Sequence, residues 1–408
     1  MGRSFYALLV SQTAANLCFA FYTMVIVMHL YNETGSTTLS AAATTISMIA
    51  RIASSTLLPT ISDRFKPTKL LMLAQWAQLG FLAILIFFVF QNISALLLIL
   101  TFVVMALISF FNGFFSPMKG VIVRAVVPEN ERIRANSLIS SIDQTFLFAS
   151  WTFCGLLLSV IGKEATLMLA SSLLLLSIGS LYTIQLKESS QIEGQESLFN
   201  RLTGGWTYLF QHRGLRVIIA MDVMESLVGT IWMGAVTLTY VKEVLGKAET
   251  WWGYINGAYY FGTIIGGLIV YRLSKMMRGR LVSSMIAGSF LFGLFTLIYG
   301  LVSNPYFALL LVLVMGPSYQ IRDLAQETML QNSADEKTLA KILAARSALV
   351  QLVMLLSTIT IGALVDMVGV RFIYIFSGCL LLFSTSFGFI YLHMRKFGQL
   401  LESEHIKV

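Results

Sequence analysis

The sequence predicts an all-α, polytopic membrane protein whose twelve transmembrane helices form two pseudo-symmetric six-helix bundles. Three observations carry this prediction. Hydrophobic residues make up 57% of the chain and charged residues only 12%, about half the charged share of an ordinary soluble domain. Long apolar stretches alternate with short polar links, and each stretch is about the length of helix that crosses a hydrocarbon core ~30 Å thick. Finally, the cations collect in every second link.

The distribution of Lys and Arg predicts the orientation. Of the 28 cations, 21 lie in the two termini and the even-numbered links, four lie in the odd-numbered links, and three lie within or at the edge of apolar stretches: Arg51, Lys119 and Arg322. Cytoplasmic links of membrane proteins carry an excess of Lys and Arg. We therefore expect a multi-pass protein of the cell (inner) membrane with both termini in the cytoplasm. The net charge of +8 then lies beside anionic headgroups, and nucleic-acid binding is not expected.

Six apolar spans precede the longest link. Their boundaries are charged or polar segments, such as the basic link from Asp63 to Lys69 after the second span and the four residues Gln91 to Ser94 after the third. The external links are too short for an extracellular domain. In chain order the spans are Tyr6–Leu30, Leu39–Ser62, Leu70–Phe90, Ala95–Met118, Asn136–Val160 and Thr166–Leu186.

Six more spans follow the longest link, with basic links after the eighth and tenth. They are Leu215–Val241, Trp252–Leu273, Leu281–Val302, Tyr306–Thr328, Ile342–Val365 and Phe372–Met394. We predict an N-terminal bundle over residues 1–186, a cytoplasmic linker over 187–214, a C-terminal bundle over 215–394 and a cytoplasmic tail over 395–408.

The second half of the linker has the pattern of an amphipathic helix. Ser197 is a candidate N-cap. The residues that follow at helical spacing and share one apolar face are Leu198, Phe199, Leu202, Trp206, Leu209 and Phe210. With Arg201 and Arg213 nearby, this pattern indicates a helix that lies flat at the cytoplasmic interface and tethers the two bundles.

The two halves of the chain repeat at an offset of about 200 to 208 residues. The matching positions are Ser116-Pro117 with Gly316-Pro317, Gly155 and Gly162 with Gly362 and Gly369, and the link beginning at Pro128 with that beginning at Ser333. A parallel repeat of six spans is the organisation of transporters whose site lies between the halves at mid-membrane.

One loop carries a family signature. After the second span, residues 59–69 resemble Gly-x-x-x-Asp-Arg-x-Gly-x-x-Arg/Lys, the signature loop of the major facilitator superfamily, with Asp63, Arg64 and Lys69 matching and Pro59 and Lys66 in place of the glycines. The resemblance extends over essentially the whole chain. Two stretches, residues 116–138 and 245–267, are similar to the drug:proton antiporter branch that includes macrolide-efflux and siderophore-export proteins. Where exporters often carry Gly-x-x-x-Gly-Pro-x-x-Gly-Gly in span 5, this chain has residues 149–155 without proline.

This resemblance implies a function. We expect a secondary active transporter that works by alternating access and exports amphipathic small molecules, of drug or siderophore type, in exchange for protons. The alternatives are a uniporter or importer of a small metabolite, and a non-transporting membrane sensor or scaffold. The expected partners are a small-molecule substrate, protons and the lipid bilayer, and we expect a monomer. The sequence has no Gly-rich phosphate loop and no paired His, so we expect no enzyme, catalytic residue, cofactor or metal.

Two carboxylates in span 7 are the leading candidates for proton coupling. Asp222 and Glu225 are three residues apart and share one helical face. A charge at the bilayer centre costs about 2.5–3.5 kcal/mol on insertion scales, so each needs a partner, water or a proton. Span 10 carries three further candidates for proton coupling, Arg322, Asp323 and Glu327. The resemblance implies that spans 1, 4, 7 and 10 line the central cavity. We predict that Asp222 and Glu225 exchange the proton while Arg322 pairs with one of them. Alternatively, Asp222 and Arg322 form a fixed tether while Glu225 only faces the cytoplasmic vestibule. A third possibility is that spans 7 and 10 do not direct these charges toward the cavity.

Other charged residues have predicted structural or gating roles. Arg51 in span 2 lies near mid-membrane, and Asp143 in span 5 is its expected partner in a buried ion pair. The resemblance implies that Asp63 and Arg64 act in a cytoplasmic latch, in which Asp63 meets a helix N-terminus or a cation such as Arg134.

The substrate is expected to contact polar and aromatic residues of the cavity-lining spans. The candidates are Gln12, Asn16, Tyr22, Phe110, Asn112, Phe114, Met221, Trp232, Met233 and Tyr319. The 19 Met and 29 Phe of the chain suit a pliable apolar surface, although these are also ordinary lipid-facing residues. The glycine series Gly253, Gly257, Gly262 and Gly266 in span 8 predicts a close helix-packing seam.

Overall fold

The fold is all-helical, as predicted. The computed structural model describes residues 1–62, 65–91, 94–186, 198–232 and 234–405, and these contain 14 α-helices, two single-turn 3₁₀ helices and no β-strand. The α-helices are α1 (Arg3–Thr34), α2 (Thr37–Ser62), α3 (Pro67–Val89), α4 (Ala95–Asn112), α5 (Phe115–Val126), α6 (Arg132–Tyr182), α7 (Leu198–Gln211), α8 (Arg213–Gly229), α9 (Gly234–Glu243), α10 (Thr250–Met277), α11 (Leu281–Leu301), α12 (Pro305–Asn332), α13 (Glu336–Val368) and α14 (Val370–His405). The 3₁₀ turns are Glu129–Glu131 and Thr230–Trp232.

The number of membrane-spanning helices agrees with the prediction only in part. Over the described ranges, eight helical segments are long and apolar enough to cross a membrane, and the bent pair α8 and α9 makes nine. Helices also cover the other three predicted spans: α2, the first part of α6, and α10. Of these three, α2 is rich in Ser and Thr and contains Arg51.

Four glycines with positive φ support the internal repeat. Gly35 (φ 64°) ends α1, and Gly246 (φ 60°) follows α9, the end of the seventh predicted span. Gly162 (φ 80°) divides α6 into two helical segments, and Gly369 (φ 83°) separates α13 from α14. Left-handed backbone disfavours any residue with a Cβ, so glycine is needed at these turns. The separation between Gly35 and Gly246, and that between Gly162 and Gly369, are both close to the offset of the sequence repeat.

The seventh span is broken rather than straight. The axes of the segments Arg213–Trp232 and Val236–Glu243 differ by 53°. The break frees backbone carbonyls, and side-chain hydroxyls satisfy them: Tyr374 and Thr237 donate to the Ile231 carbonyl at 2.8 and 3.0 Å, and Ser357 donates to the Leu227 carbonyl at 2.6 Å. Buried carbonyls need such partners because no water replaces the lost helical bonds.

The fourth span is also interrupted and extends beyond its predicted end. The helix breaks at Gly113 and Phe114, and α5 continues to Val126 rather than ending at Met118. Pro117 lies in the first turn of α5, where its missing N–H costs nothing. The equivalent Pro317 instead lies inside the continuous helix α12.

The described residues form two compact units. Unit 1 comprises Met1–Arg132, Ile142–Trp206 and Ser333–Gln351, and its core includes Tyr22, Leu82 and Met105. Unit 2 comprises Ile133–Ser141, Thr207–Asn332 and Leu352–Val408, and its core includes Tyr240, Tyr299 and Tyr374. Two short segments, residues 133–141 and 333–351, group with the unit that the other half of the sequence mainly forms, and the division between the units falls after Trp206.

Two of the four glycines in the predicted span 8 seam lie where α10 contacts α12. A Cβ added to Gly262 would lie 2.2 Å from the Leu313 carbonyl oxygen, and one added to Gly266 would lie 2.5 Å from the Pro317 Cα. Gly253 has open space instead. Glycine therefore lets the backbone of α10 approach that of α12 in unit 2, and this contact fixes where α12 presents its charged residues.

Candidate functional site

The buried charges of unit 2 converge on one guanidinium. Arg322 on α12 directs its Nη2 to the Asp222 Oδ1 at 2.9 Å and to the Glu225 Oε2 at 2.6 Å, both on α8. The exposed fractions of the three side chains are 5%, 4% and 16%. We call Asp222, Glu225 and Arg322 the charge cluster.

The two carboxylates of the charge cluster are held differently. Asp222 Oδ1 accepts a second hydrogen bond from the Gln326 Nε2 at 2.6 Å, so a guanidinium and an amide share one oxygen. Gln326 lies one helical turn after Arg322 and therefore on the same face of α12. Sequence reasoning missed it because an amide in a membrane helix is less conspicuous than a charge.

Glycine positions Arg322. A Cβ on Gly288 of α11 would lie 2.6 Å from the Arg322 backbone nitrogen and 2.7 Å from the Ser318 carbonyl oxygen. The backbone of α12 thus lies directly against α11 at the residue that carries the guanidinium. A larger residue at position 288 would displace the charge cluster.

A small void adjoins Glu225. It is lined by Glu225, Ser289, Phe292, Tyr319, Arg322, Leu381 and Ser384. Three residues that carry hydroxyl groups thus line the same void as the more exposed of the two carboxylates: Ser289, Ser384 and Tyr319. Glu225 therefore has polar surroundings on one side and Arg322 on the other, whereas Asp222 is nearly sealed.

The remaining predicted proton-coupling residues lie at the edge of this arrangement. Asp323 approaches the Arg322 Nη1 at 3.7 Å and its side chain is 33% exposed. Glu327 accepts from the Gln331 Nε2 at 3.3 Å. Gln331 in turn exchanges two hydrogen bonds with Asn136, at 2.9 and 3.1 Å, so Glu327 belongs to a buried amide group rather than to the charge cluster.

The predicted ion pair between Arg51 and Asp143 is not formed. Asp143 instead accepts hydrogen bonds from two amides of α1, Gln12 and Asn16. The Arg51 guanidinium lies over the Phe19 ring, 5.3 Å from its centroid. The amides on α1 occupy the carboxylate, and the arginine finds an aromatic face instead.

A cavity of about 420 Å³ lies beside Asp143 within unit 1. It is bounded by α1, α2 and α6. Its polar lining includes Asn16, Thr44 and Asp143, and its apolar wall includes Phe19 and Phe146. The volume falls in the range of small-molecule sites, which are concave and mostly apolar with a few placed polar groups.

Only some of the predicted substrate-binding residues line these two spaces. Asn16 lines the 420 Å³ cavity, Gln12 is buried behind it on Asp143, and Tyr319 lines the void at Glu225. The others lie elsewhere. Tyr22 and Met221 are buried among the helices, and Asn112 is half-buried. Phe110 and Phe114 pack on Phe111, and Trp232 packs against Tyr259, Tyr299 and Tyr374. Met233 lies outside the described residues.

The predicted gating residues are only partly described. Arg134 donates to the Tyr271 hydroxyl at 2.5 Å, and its guanidinium lies 4.3 Å from the centroid of that ring, both within unit 2. Asp63 and Arg64 lie outside the described residues. The structure thus gives Arg134 an aromatic and hydroxyl partner on α10.

Comparison with known proteins identifies the family. A family model described as Major Facilitator Superfamily matches residues 8–319. The uncharacterized MFS-type transporter YfmI of Bacillus subtilis (strain 168) is 43% identical over 398 residues, which cover 97% of this chain and 98% of that protein.

Solved structures show the same fold at low identity. A bacterial homologue of the iron transporter ferroportin, in an outward-facing state, matches with a TM-score of 0.81 and 14% identity over 96% of this chain and 100% of that one. The proton:xylose symporter XylE matches with a TM-score of 0.72 and 15% identity over 95% of each chain. Because the family model covers most of the sequence and a relative is 43% identical along nearly all of it, this chain belongs to the major facilitator superfamily and is a multi-pass membrane transporter, not an enzyme.

Proposed function

We propose that this transporter exports amphipathic small molecules in exchange for protons, with Glu225 as the carboxylate that exchanges the proton. The observation that carries the proposal is the composition of the charge cluster. One buried guanidinium contacts two buried carboxylates, so the cluster has a surplus negative charge when all three groups are ionised. A proton on one carboxylate removes that surplus.

Glu225 suits this role better than Asp222. Its side chain is 16% exposed against 4% for Asp222, and it adjoins a void with three hydroxyl groups. Asp222 is fixed by Arg322 and Gln326 together. We infer that Asp222 anchors the guanidinium throughout the cycle, while protonation of Glu225 releases its own contact with Arg322.

Release of this contact biases alternating access. With Glu225 ionised, Arg322 joins α12 to α8 through two carboxylates, and with Glu225 protonated only the Asp222 contact keeps its full strength. The driving force is adequate, because one charge that crosses ~100 mV gains about 2.3 kcal/mol, or roughly fifty-fold accumulation. Proton coupling has a precedent in this fold in the symporter XylE, although a symporter moves its substrate with the proton. The proposed direction, export of drug-like or siderophore-like compounds, rests on the sequence resemblance.

The experiment is gradient-driven transport in proteoliposomes. A panel of dyes, macrolides and siderophores is offered under a pH gradient of either sign, for the unaltered protein and for Glu225→Gln, Asp222→Asn and the control Asp366→Asn. Asp366 is an exposed acid of α13, so the control removes the same charge away from the cluster.

The proposal predicts that substrate moves against the proton gradient and that Glu225→Gln abolishes the response to pH. Asp222→Asn should instead reduce the amount of folded protein and the transport rate. The control should retain the gradient response. Transport that is indifferent to the gradient would support a uniporter, accumulation with the gradient would support an importer, and an intact pH response in Glu225→Gln would reject the assigned role.

We also propose the topology that the distribution of cations predicts: a monomer in the cell membrane with both termini, the linker helix α7 and the Asp63–Arg64 latch on the cytoplasmic side. Single-cysteine labelling in intact cells tests this. Cysteines at positions 3 and 335 should resist an impermeant maleimide, and one at position 249 should react. The opposite pattern would invert the topology. Size measurement of the purified protein tests the monomer.

A further inference from the structure

The carboxylate of Asp143 is held but not neutralised. Its two partners on α1, Gln12 and Asn16, are neutral amides, the latter at 3.1 Å. An ionised carboxylate has about four acceptor positions, so two remain after these bonds. No cationic side chain of the described chain lies within 4.0 Å of Asp143. The Arg51 guanidinium lies over the Phe19 ring, and Lys119 acts on Asp143 only at longer range.

The open side of Asp143 faces an apolar cavity. Asn16 and Asp143 line the 420 Å³ space beside it, and the apolar lining residues include Phe19, Met24, Val27 and Phe146. Phe146 is an exposed large hydrophobic residue. A space that combines an acid held directly only by neutral amides with aromatic and thioether walls is complementary to a ligand that carries a positive charge and an apolar body.

We propose that this cavity of unit 1 is a substrate-binding site for organic cations, with Asp143 as the counter-charge. The cationic group of the ligand contacts the free acceptor positions of Asp143, and the apolar body lies along Phe19 and Phe146. Gln12 and Asn16 orient the carboxylate. This inference rests on the proposed function only in that the ligand is a transported substrate, and it names the substrate class.

Binding to the purified protein tests the site without any gradient. Tetraphenylphosphonium and tetraphenylborate, which share a shape and carry opposite charges, are titrated calorimetrically in separate experiments. The variants are Asp143→Asn, Asp143→Glu and the control Asp366→Asn. The proposal predicts saturable binding of the phosphonium only, a Kd at least tenfold higher in Asp143→Asn, and a change of less than about threefold in Asp143→Glu and the control.

Several results would overturn the proposal. One is equal phosphonium affinity in the unaltered protein and in Asp143→Asn, and others are borate binding of similar strength or no saturable phosphonium binding to the unaltered protein. Thermal unfolding of each variant, measured alongside, distinguishes loss of the site from loss of the fold. If Asp143→Asn does not fold, Asp143→Glu still tests the site, because it retains the negative charge.

The outcome is separable from that of the proposed coupling mechanism. If Asp143→Asn binds normally while Glu225→Gln loses the gradient response, the site fails and the coupling mechanism stands. If Asp143→Asn loses binding while Glu225→Gln keeps its pH response, the cation site stands and the coupling mechanism fails.

Discussion

The two acidic sites within the helices are compensated in different ways. In unit 2, Asp222 and Glu225 share a guanidinium at 2.9 and 2.6 Å. In unit 1, the direct hydrogen-bond donors to Asp143 are the neutral amides of Gln12 and Asn16, and Lys119 acts on it only at longer range. We propose that a proton loosens the first arrangement, which its own cation closes, and that an incoming cation binds the acid of the second. Buried acids of one chain can thus serve a switch or a binding site, depending on which donor reaches them.

The largest expected effect comes from removal of the cation of unit 2. Arg322→Gln leaves Asp222 and Glu225 buried without their counter-charge, and breaking a buried pair in this way costs about 3–5 kcal/mol. Thermal unfolding in detergent should show a strongly lowered Tm. Asp143→Asn, which removes an acid that has no paired cation, should lower the Tm far less. Similar losses for both variants would mean that the two sites are not compensated differently.

The second-largest effect is expected where α11 packs closely against the backbone of Arg322. Gly288→Ala forces a Cβ against the Arg322 nitrogen at 2.6 Å, and overpacking of this kind costs about 1–3 kcal/mol. The matched control is Gly253→Ala, where the added Cβ meets open space and the helix gains up to about 1 kcal/mol. The Tm should fall for the first and hold or rise for the second. A fall for both would point to a general intolerance of alanine in these helices.

A smaller effect is expected when one amide of unit 1 is lost. Gln12→Leu removes one neutral donor from Asp143, and an unmade bond to a buried polar group costs about 1–3 kcal/mol, of which the remaining bond from Asn16 offsets part. We expect a modest fall in Tm and, because the carboxylate is less fixed, weaker phosphonium binding. An unchanged phosphonium affinity would show that Gln12 does not orient Asp143.

The smallest effect is expected at an exposed ion pair, which also joins a cation to a carboxylate. Lys242 donates to Glu249 at 2.7 Å in the link between α9 and α10 and thereby lowers the pKa of Glu249 from its ordinary value. Because that pKa is lowered, any stability from the pair is present at neutral pH and disappears as the pH falls through it. Solvent screens such pairs, so Lys242→Met should leave the Tm unchanged at both pH 7 and pH 4. A clear loss confined to pH 7 would show that exposure matters less than we infer.

The sequence predicted the helices well because hydropathy and cation placement report directly on burial in lipid. Asp222, Glu225 and Arg322 stood out for the same reason, since each is costly in an apolar helix. Gln326 carries no charge and did not. The pairing of Arg51 with Asp143 was expected from charge alone, but which helix face meets which depends on packing that residue types do not specify.

Backbone breaks were the other feature that the apolar pattern did not show. The seventh span was predicted as a single stretch, Leu215–Val241, yet it bends between Trp232 and Val236, close to Gly229 and Gly234, and hydroxyls from distant helices satisfy the carbonyls. The two glycines were visible in the sequence. The partners Ser357 and Tyr374 lie more than a hundred residues away, and no local pattern connects them to the break.

The measurement that tests the central claim most directly is infrared difference spectroscopy of the carboxylic C=O stretch as the pH is varied. If Glu225 carries the exchangeable proton, the unaltered protein shows a protonated-carboxyl band that titrates, that is absent in Glu225→Gln and that persists in Asp143→Asn. A titrating band that is unchanged in Glu225→Gln would contradict the account.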